Sequence, residues 1–172
     1  MLAGLSIPIG QHPYESLAAI ISASAPQDGV RIVSTTSTGL QFTDIREGRG
    51  ETPRVGELVA VHLRAWAADD RRERPFLDSL AAGTPLIWTL GIQNEFVSEG
   101  LEEAVLSMRR GGLRLAAVPP SIGYGNNNGP SPLSRRWKNS WLKYEIELLR
   151  CTQLPEGLAC CSDDNFPCRS PV

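Results

Sequence analysis

The chain of 172 residues is poor in aromatic side chains, with four Trp, three Tyr and four Phe. It holds two histidines, His12 and His62, and no cysteine before Cys151. No apolar run approaches the roughly 20 residues of a membrane helix. The longest candidate, Leu17 to Ile21, is far too short, so no membrane span is expected. Neither sign of charge dominates: 17 Lys and Arg against 19 Asp and Glu give a formal net charge of −2. That balance argues against a dedicated nucleic-acid binder, whose surface carries a strong basic field. There is no Ser-His-Asp set and no Walker loop, and no cofactor or metal is expected. What is present is a 41% hydrophobic, 21% charged chain with 16 Gly and 13 Pro. This is a turn-rich globular composition with strands, long enough to bury a core without metal or disulfide support.

The ends differ from the middle. Residues 1–38 contain no Lys or Arg before Arg31 and carry a small-residue stretch ending in Ala23-Ser24-Ala25. That triplet has the small-x-small form of a signal-peptidase site. Against it stand Pro26 immediately after and the lack of a basic region before the apolar run. An irregular N-terminal arm and the remnant of a targeting segment are the two readings. At the other end, residues 151–172 hold all four cysteines, Cys151, Cys160, Cys161 and Cys168. The spacings lack the Cys-x-x-Cys knuckles of a zinc site. Disulfides in an oxidising compartment are the favoured reading, with free thiols and metal as alternatives; three pairings are open. Bridging of the adjacent Cys160 and Cys161 is disfavoured because it forces a strained ring.

Between the ends, residues 39–150 read as one domain. Leu40 to Ile45 alternates apolar and polar, as a half-buried strand does. Glycine and proline turn the chain at Gly48-Arg49-Gly50 and at Pro53 to Gly56. Leu58 to Trp66 is a longer β-rich run, and the charged segment Asp69 to Arg74 after it reads as a solvated loop. Phe76 to Ser79 and Leu86 to Leu90 are short strands. From Ser98 to Arg110, Leu101, Ala104, Val105 and Met108 form one apolar stripe at helical spacing. Ser98 is the candidate N-cap, and Arg109, Arg110 and Gly111 suit the C-terminal end. Leu113 to Val118 and Leu142 to Leu149 complete the strands, around a long polar loop from Ser121 to Ser140. The expected fold is α+β: a twisted antiparallel sheet of about five strands wrapped around one central helix.

Several segments then come in a distinctive order: Val59-Ala60-Val61-His62-Leu63, Leu77-Asp78-Ser79, Leu90-Gly91, Gly100-Leu101-Glu102-Glu103-Ala104, Val118-Pro119-Pro120 with Gly123-Tyr124-Gly125, and Tyr144 to Leu149. From Gly39 to Arg150 the chain resembles the FKBP family. The resemblance implies a peptidyl-prolyl cis–trans isomerase acting on proline-containing protein clients. No nucleophile is needed for that chemistry. The barrier is the lost resonance of a twisted amide, and an apolar, water-poor pocket with donors for the rotated carbonyl lowers it.

Carried over position by position, the family's catalytic polar groups fall on Asp78 and Tyr124. Its substrate-binding positions fall on Leu63, Leu77, Leu86, Val97, Ser98, Leu101 and Tyr144. Most family rings are replaced: Leu63 stands for a tyrosine, Leu77 and Leu86 for phenylalanines, Leu101 for the pocket-floor tryptophan. Phe76 is adjacent and within reach of the pocket. Plain core packing is the competing reading of the leucines, and of Trp88; His62 reads as a packing or surface residue. Weak or absent activity is therefore expected. The turn sequence Asn126 to Pro130 and the basic-aromatic patch Arg135 to Lys138 depart from the family. The patch reads as a solvated flap or, alternatively, as a docking surface anchored by Trp137.

Cysteine tail, processing triplet and altered pocket together look most like the thylakoid-lumen members of the family, with a secreted or periplasmic location as the alternative. Two functions compete: a folding enzyme, or a non-catalytic docking subunit or assembly factor. The latter would bind a larger, photosynthetic membrane complex through its arm, the Arg135–Lys138 loop and the tail.

Overall fold

A computed structural model describes residues 33–68, 74–92, 94, 96–124 and 136–168. The chain divides into two compact units, residues 1–31 and 32–172. The first lies outside the described residues, and with it His12, the Leu17–Ile21 run and the Ala23-Ser24-Ala25 triplet. The loop 69–73, the Asn126–Pro130 turn and Arg135 also lie outside them.

In chain order the described elements are β1 (Ser34–Thr35), β2 (Gln41–Arg46), β3 (Leu58–Ala67), β4 (Leu77–Asp78), β5 (Leu86–Thr89), α1 (Glu99–Leu106), β6 (Leu113–Val118), β7 (Leu142–Leu148), β8 (Arg150–Leu154) and β9 (Gly157–Cys161). A short 3₁₀ turn, Asp163–Asn165, follows. Strands β1-β2-β6-β7-β3-β4 form one antiparallel sheet, with β5 also pairing β3, so the sheet has seven strands where about five were expected. The strand that the sequence does not announce is β1, only two residues long and too short to show alternation; β4 falls within the short strand expected at Phe76 to Ser79.

Period-2 patterning decides which face is which. Val59, Val61, Leu63, Ala65 and Ala67 of β3 point to the core, and all are enclosed. His62, Arg64 and Trp66 alternate with them and are partly exposed. On that outer face Arg64 pairs with Glu145 and Arg46 with Glu147. Strand β7 lies between β3 and β6 and alternates the same way, so Leu142, Tyr144, Ile146 and Leu148 are fully buried. Leu101, Val105, Met108, Leu115, Tyr144 and Ile146 are all buried.

Helix α1 packs its stripe of Leu101, Ala104 and Val105 into the same core. Its start is where the sequence places it: Ser98 is the N-cap, its side chain accepting from the Leu101 N–H. Its end is four residues short of Arg110. Ser107 is the C-cap, and Arg114 donates to the Ala104 carbonyl at 2.8 Å, satisfying one of the free helix carbonyls from β6. Arg109 and Arg110 leave the helix to bond Gly50 and Glu57 instead. Gly111, at φ +87°, forms the following turn rather than the helix stop. Arg114 itself is enclosed. It pairs with both oxygens of Asp44, at 2.7 and 2.9 Å, and lies over the ring of Phe42.

The cysteine tail folds as a β-hairpin. Cys151 and Cys160 are cross-strand partners in β8 and β9 and are joined by a disulfide, with Cα atoms 4.1 Å apart. Cys161 is joined to Cys168. The tail is oxidised as expected, and the pairing that the spacing left open is 151–160 with 161–168. Asp163 anchors the segment to the sheet domain: it accepts from Arg150 at 3.0 Å and fits against Gly111, where any Cβ would meet its carboxyl group. Among the described residues no helix is long and apolar enough to cross a membrane.

Candidate functional site

The site is built where the inner faces of β3, β4 and β7 meet the N-terminus of α1 and the segment ending at Tyr124. One cross-strand row runs Leu77, Ala65, Tyr144, Ala116. The small Ala65 and Ala116 on either side of Tyr144 leave room for its ring. The next row of the inner face places Leu63 opposite Ile146. Gly100, in the first turn of α1, holds the opposite wall. Its N–H donates to the Ile122 carbonyl at 2.7 Å, and a Cβ there would lie 2.4 Å from Val118 Cγ1. Only glycine lets the helix approach β6 this closely, and that approach fixes the turn carrying Tyr124.

The buried hydroxyl groups are paired. Tyr124 donates its proton to the Phe96 carbonyl at 2.9 Å. The Ser98 and Tyr144 hydroxyl groups lie 3.1 Å apart and share one hydrogen bond. Burial pushes the Tyr124 phenol up to about 12, offset in part by the hydrogen bond from Tyr144. Burial raises Tyr144 well above its ordinary value too. Both are neutral donors across the physiological range, and neither can serve as a base.

Of the residues assigned from sequence, Leu63, Val97, Ser98, Leu101, Tyr124 and Tyr144 come together and are enclosed, with Leu101 at 0% and Tyr124 at 1% exposure. Leu77 and Leu86 are partly buried against the same cluster. Asp78 is placed differently. Its register partner is Arg64, whose row belongs to the outer face, and its carboxylate accepts from the Ala81 N–H at 2.9 Å in the turn that follows. Trp88 is core, as read.

Two rings complete the cluster. Phe76 meets Tyr124 edge-on with centroids 6.3 Å apart, and Trp137 lies tilted on Phe76 at 5.6 Å. Trp137 is 8% exposed, which overturns its reading as a solvated flap or surface anchor. Flanking Arg136 and Lys138 disguise it in sequence. The Arg136 guanidinium lies 4.8 Å from the indole centroid, so the charged neighbour covers the ring rather than drawing it into water.

A sheet wrapped on one helix, with an apolar cluster ringed by neutral hydroxyl groups at the helix N-terminus, defines a class of small binding domains suited to an apolar group flanked by carbonyls. Comparison with known proteins identifies the class. The family of FKBP-type peptidyl-prolyl cis-trans isomerases matches residues 49–149, more than half of the chain. The chain belongs to this family. Among its relatives is the chloroplastic peptidyl-prolyl cis-trans isomerase FKBP16-1 of Arabidopsis thaliana, 27% identical over 87% of this chain and 75% of that one. The chloroplastic FKBP16-4 of the same plant is 34% identical over 72% of this chain and 53% of its own length. The crystal structure of FkpA from Escherichia coli superposes with a TM-score of 0.58 at 27% identity, covering 80% of this chain and 58% of that one. That of AtFKBP13 gives 0.55 at 25% identity, covering 68% and 96%.

Proposed function

We propose that the chain catalyses cis–trans isomerisation of X-Pro bonds in protein clients, at a rate below that of a relative with full aromatic pocket walls. The observation that carries the reading is the family match over residues 49–149, which spans every residue of the candidate site. The chemistry follows from the surroundings. A planar X-Pro amide is more polar than the twisted one, so an enclosed apolar site disfavours the ground state relative to the transition state. Leu63, Leu77, Leu86, Val97, Leu101 and Tyr144 would surround the prolyl ring. The Ser98 backbone N–H and the Tyr124 hydroxyl would face the rotated carbonyl, Tyr124 after releasing Phe96. Asp78 would act from the rim, by orienting the turn after β4.

The family match supports this enzyme reading over that of a non-catalytic docking subunit. The burial of Trp137 also removes the anchor on which docking through the Arg135–Lys138 loop depended. The names of the FKBP16 relatives support a chloroplast location. Two disulfides favour the thylakoid lumen within it, since reduced compartments rarely keep such bonds. Subunits of a larger membrane complex remain candidate clients, reached through the arm or the tail.

The test is a protease-free isomerisation assay on a blocked Ala-Leu-Pro-Phe peptide, whose uncatalysed relaxation takes about 10–100 s. A slow but enzyme-proportional acceleration is expected. No acceleration at any protein concentration refutes the reading.

A further inference from the structure

Among the described residues two buried indole nitrogens have no hydrogen-bond partner, Trp88 Nε1 and Trp137 Nε1. An unpaired buried N–H bears its full desolvation cost, so each calls for a reason. Trp88 lies on β5 opposite Val59, within the sheet. Trp137 lies elsewhere: on Phe76, which in turn meets Tyr124, at the edge of the candidate prolyl site.

What a prolyl site needs is a free side-chain donor. An X-Pro amide has no N–H of its own, so a prolyl segment presents carbonyls and must be met by donors. The Tyr124 proton is committed to Phe96, and the Ser98 and Tyr144 hydroxyl groups are bonded to each other. Indole is donor-only and has no acceptor to compete with. Among the described residues of the cluster, Trp137 Nε1–H is a buried side-chain donor with no partner. Leu63 and Leu101, on the enclosed floor of the site, offer no flat surface. Phe76 and Trp137, beside the Tyr124 ring, supply it from the side.

We propose that Trp137 is the specificity-determining wall of the prolyl site. Its ring and that of Phe76 part to admit the prolyl residue, and its indole N–H donates to a backbone carbonyl of the bound peptide. This rests on the isomerase reading above. Trp137 thus selects extended, acceptor-rich prolyl segments, and an aliphatic floor is sufficient because the flat surface comes from the side.

The test is a titration of the ¹⁵N-labelled chain with the blocked Ala-Leu-Pro-Phe peptide, and with its Pro-to-Ala counterpart as control. Four indole cross-peaks are expected, from Trp66, Trp88, Trp137 and Trp141. That of Trp137 is assigned by its loss in Trp137→Phe. If that variant fails to fold, single Phe replacements of the other three assign it by elimination. The prolyl peptide should move the Trp137 indole proton downfield and leave that of Trp88 in place. Trp137→Phe keeps a ring but loses the donor, and should raise KM about fivefold with a smaller change in kcat. A wild-type chain that isomerises the peptide while the Trp137 cross-peak stays fixed, or a Trp137→Phe variant with unchanged KM, overturns this proposal and leaves the isomerase reading standing. A wild-type chain that neither binds nor isomerises the peptide overturns both.

Discussion

Replacing Ser98 by Ala should disturb more than a helix cap, because its hydroxyl group has two duties. It accepts the Leu101 N–H at 3.2 Å, and it is hydrogen-bonded to the Tyr144 hydroxyl at 3.1 Å. Losing a serine N-cap costs about 1 kcal/mol. Losing the hydrogen bond to a fully buried phenol costs about another 1 kcal/mol. Ser98→Ala should therefore destabilise the domain by about 2 kcal/mol. Tyr144→Phe removes the same hydrogen bond from the other side, about 1 kcal/mol. The double variant counts the shared bond once, so it should lie near 2 kcal/mol rather than 3, a coupling of about 1 kcal/mol. Urea unfolding at neutral pH with the disulfides intact measures all three. Additivity within about 0.5 kcal/mol would refute the Ser98–Tyr144 hydrogen bond, since residues that do not interact add to that precision. Because Ser98 opens α1 and Tyr144 lies in the site, the same measurement tests whether helix and site are fixed together.

Alkaline pH should act on the same groups. Unfolded tyrosines ionise near 10, whereas burial holds Tyr124 at about 12 and Tyr144 well above the ordinary value. Above pH 10 the unfolded state binds fewer protons than the folded one, so stability should fall as pH rises from there, and Tyr144→Phe should flatten the fall. Unfolding midpoints that are level from pH 8 to 12 would contradict this. Asp44→Ala strips the enclosed Arg114 of both its carboxylate bonds and should cost about 3 kcal/mol, less than the full penalty of a buried orphan charge because water reaches the partly exposed Asp44 site; a loss under about 1 kcal/mol by urea unfolding would show that the pair is not what satisfies Arg114. Peptide mapping without reductant should recover Cys151 linked to Cys160 and Cys161 to Cys168, and recovery of four free thiols would remove the argument for an oxidising compartment.

The long strands and the helix start are legible in sequence because each rests on a local rule. Alternation in Leu58–Ala67 and Leu142–Leu148 reports one buried face, and Ser98 before an apolar stripe reports a cap. The helix end is not legible, because what ends it is Arg114, seven residues beyond the C-cap and on another element. The β8–β9 hairpin is hidden for a related reason. Its turn at Pro155-Glu156-Gly157 is ordinary, but cysteine in cross-strand positions carries no periodic signal, so the segment reads as a stapled loop. At the site, the resemblance names residues most of which the fold brings together, without predicting which hydroxyl groups are already bonded.

Trp137 shows why composition misleads most at such a place. A tryptophan between arginine and lysine reads as surface, because charged neighbours are solvated and adjacent side chains usually share their surroundings. In this fold the charge covers the ring: Arg136 lies over the indole while Phe76 lies against it. The four leucines at family ring positions have the opposite bias, reading as loss of function when taken one at a time. Taken with Phe76 and Trp137, they describe a site whose flat surface has moved from its floor to its side. A pocket is defined by the surfaces that meet in it rather than by the alignment columns that supply them, so aliphatic replacement on the floor is not by itself evidence of a dead site.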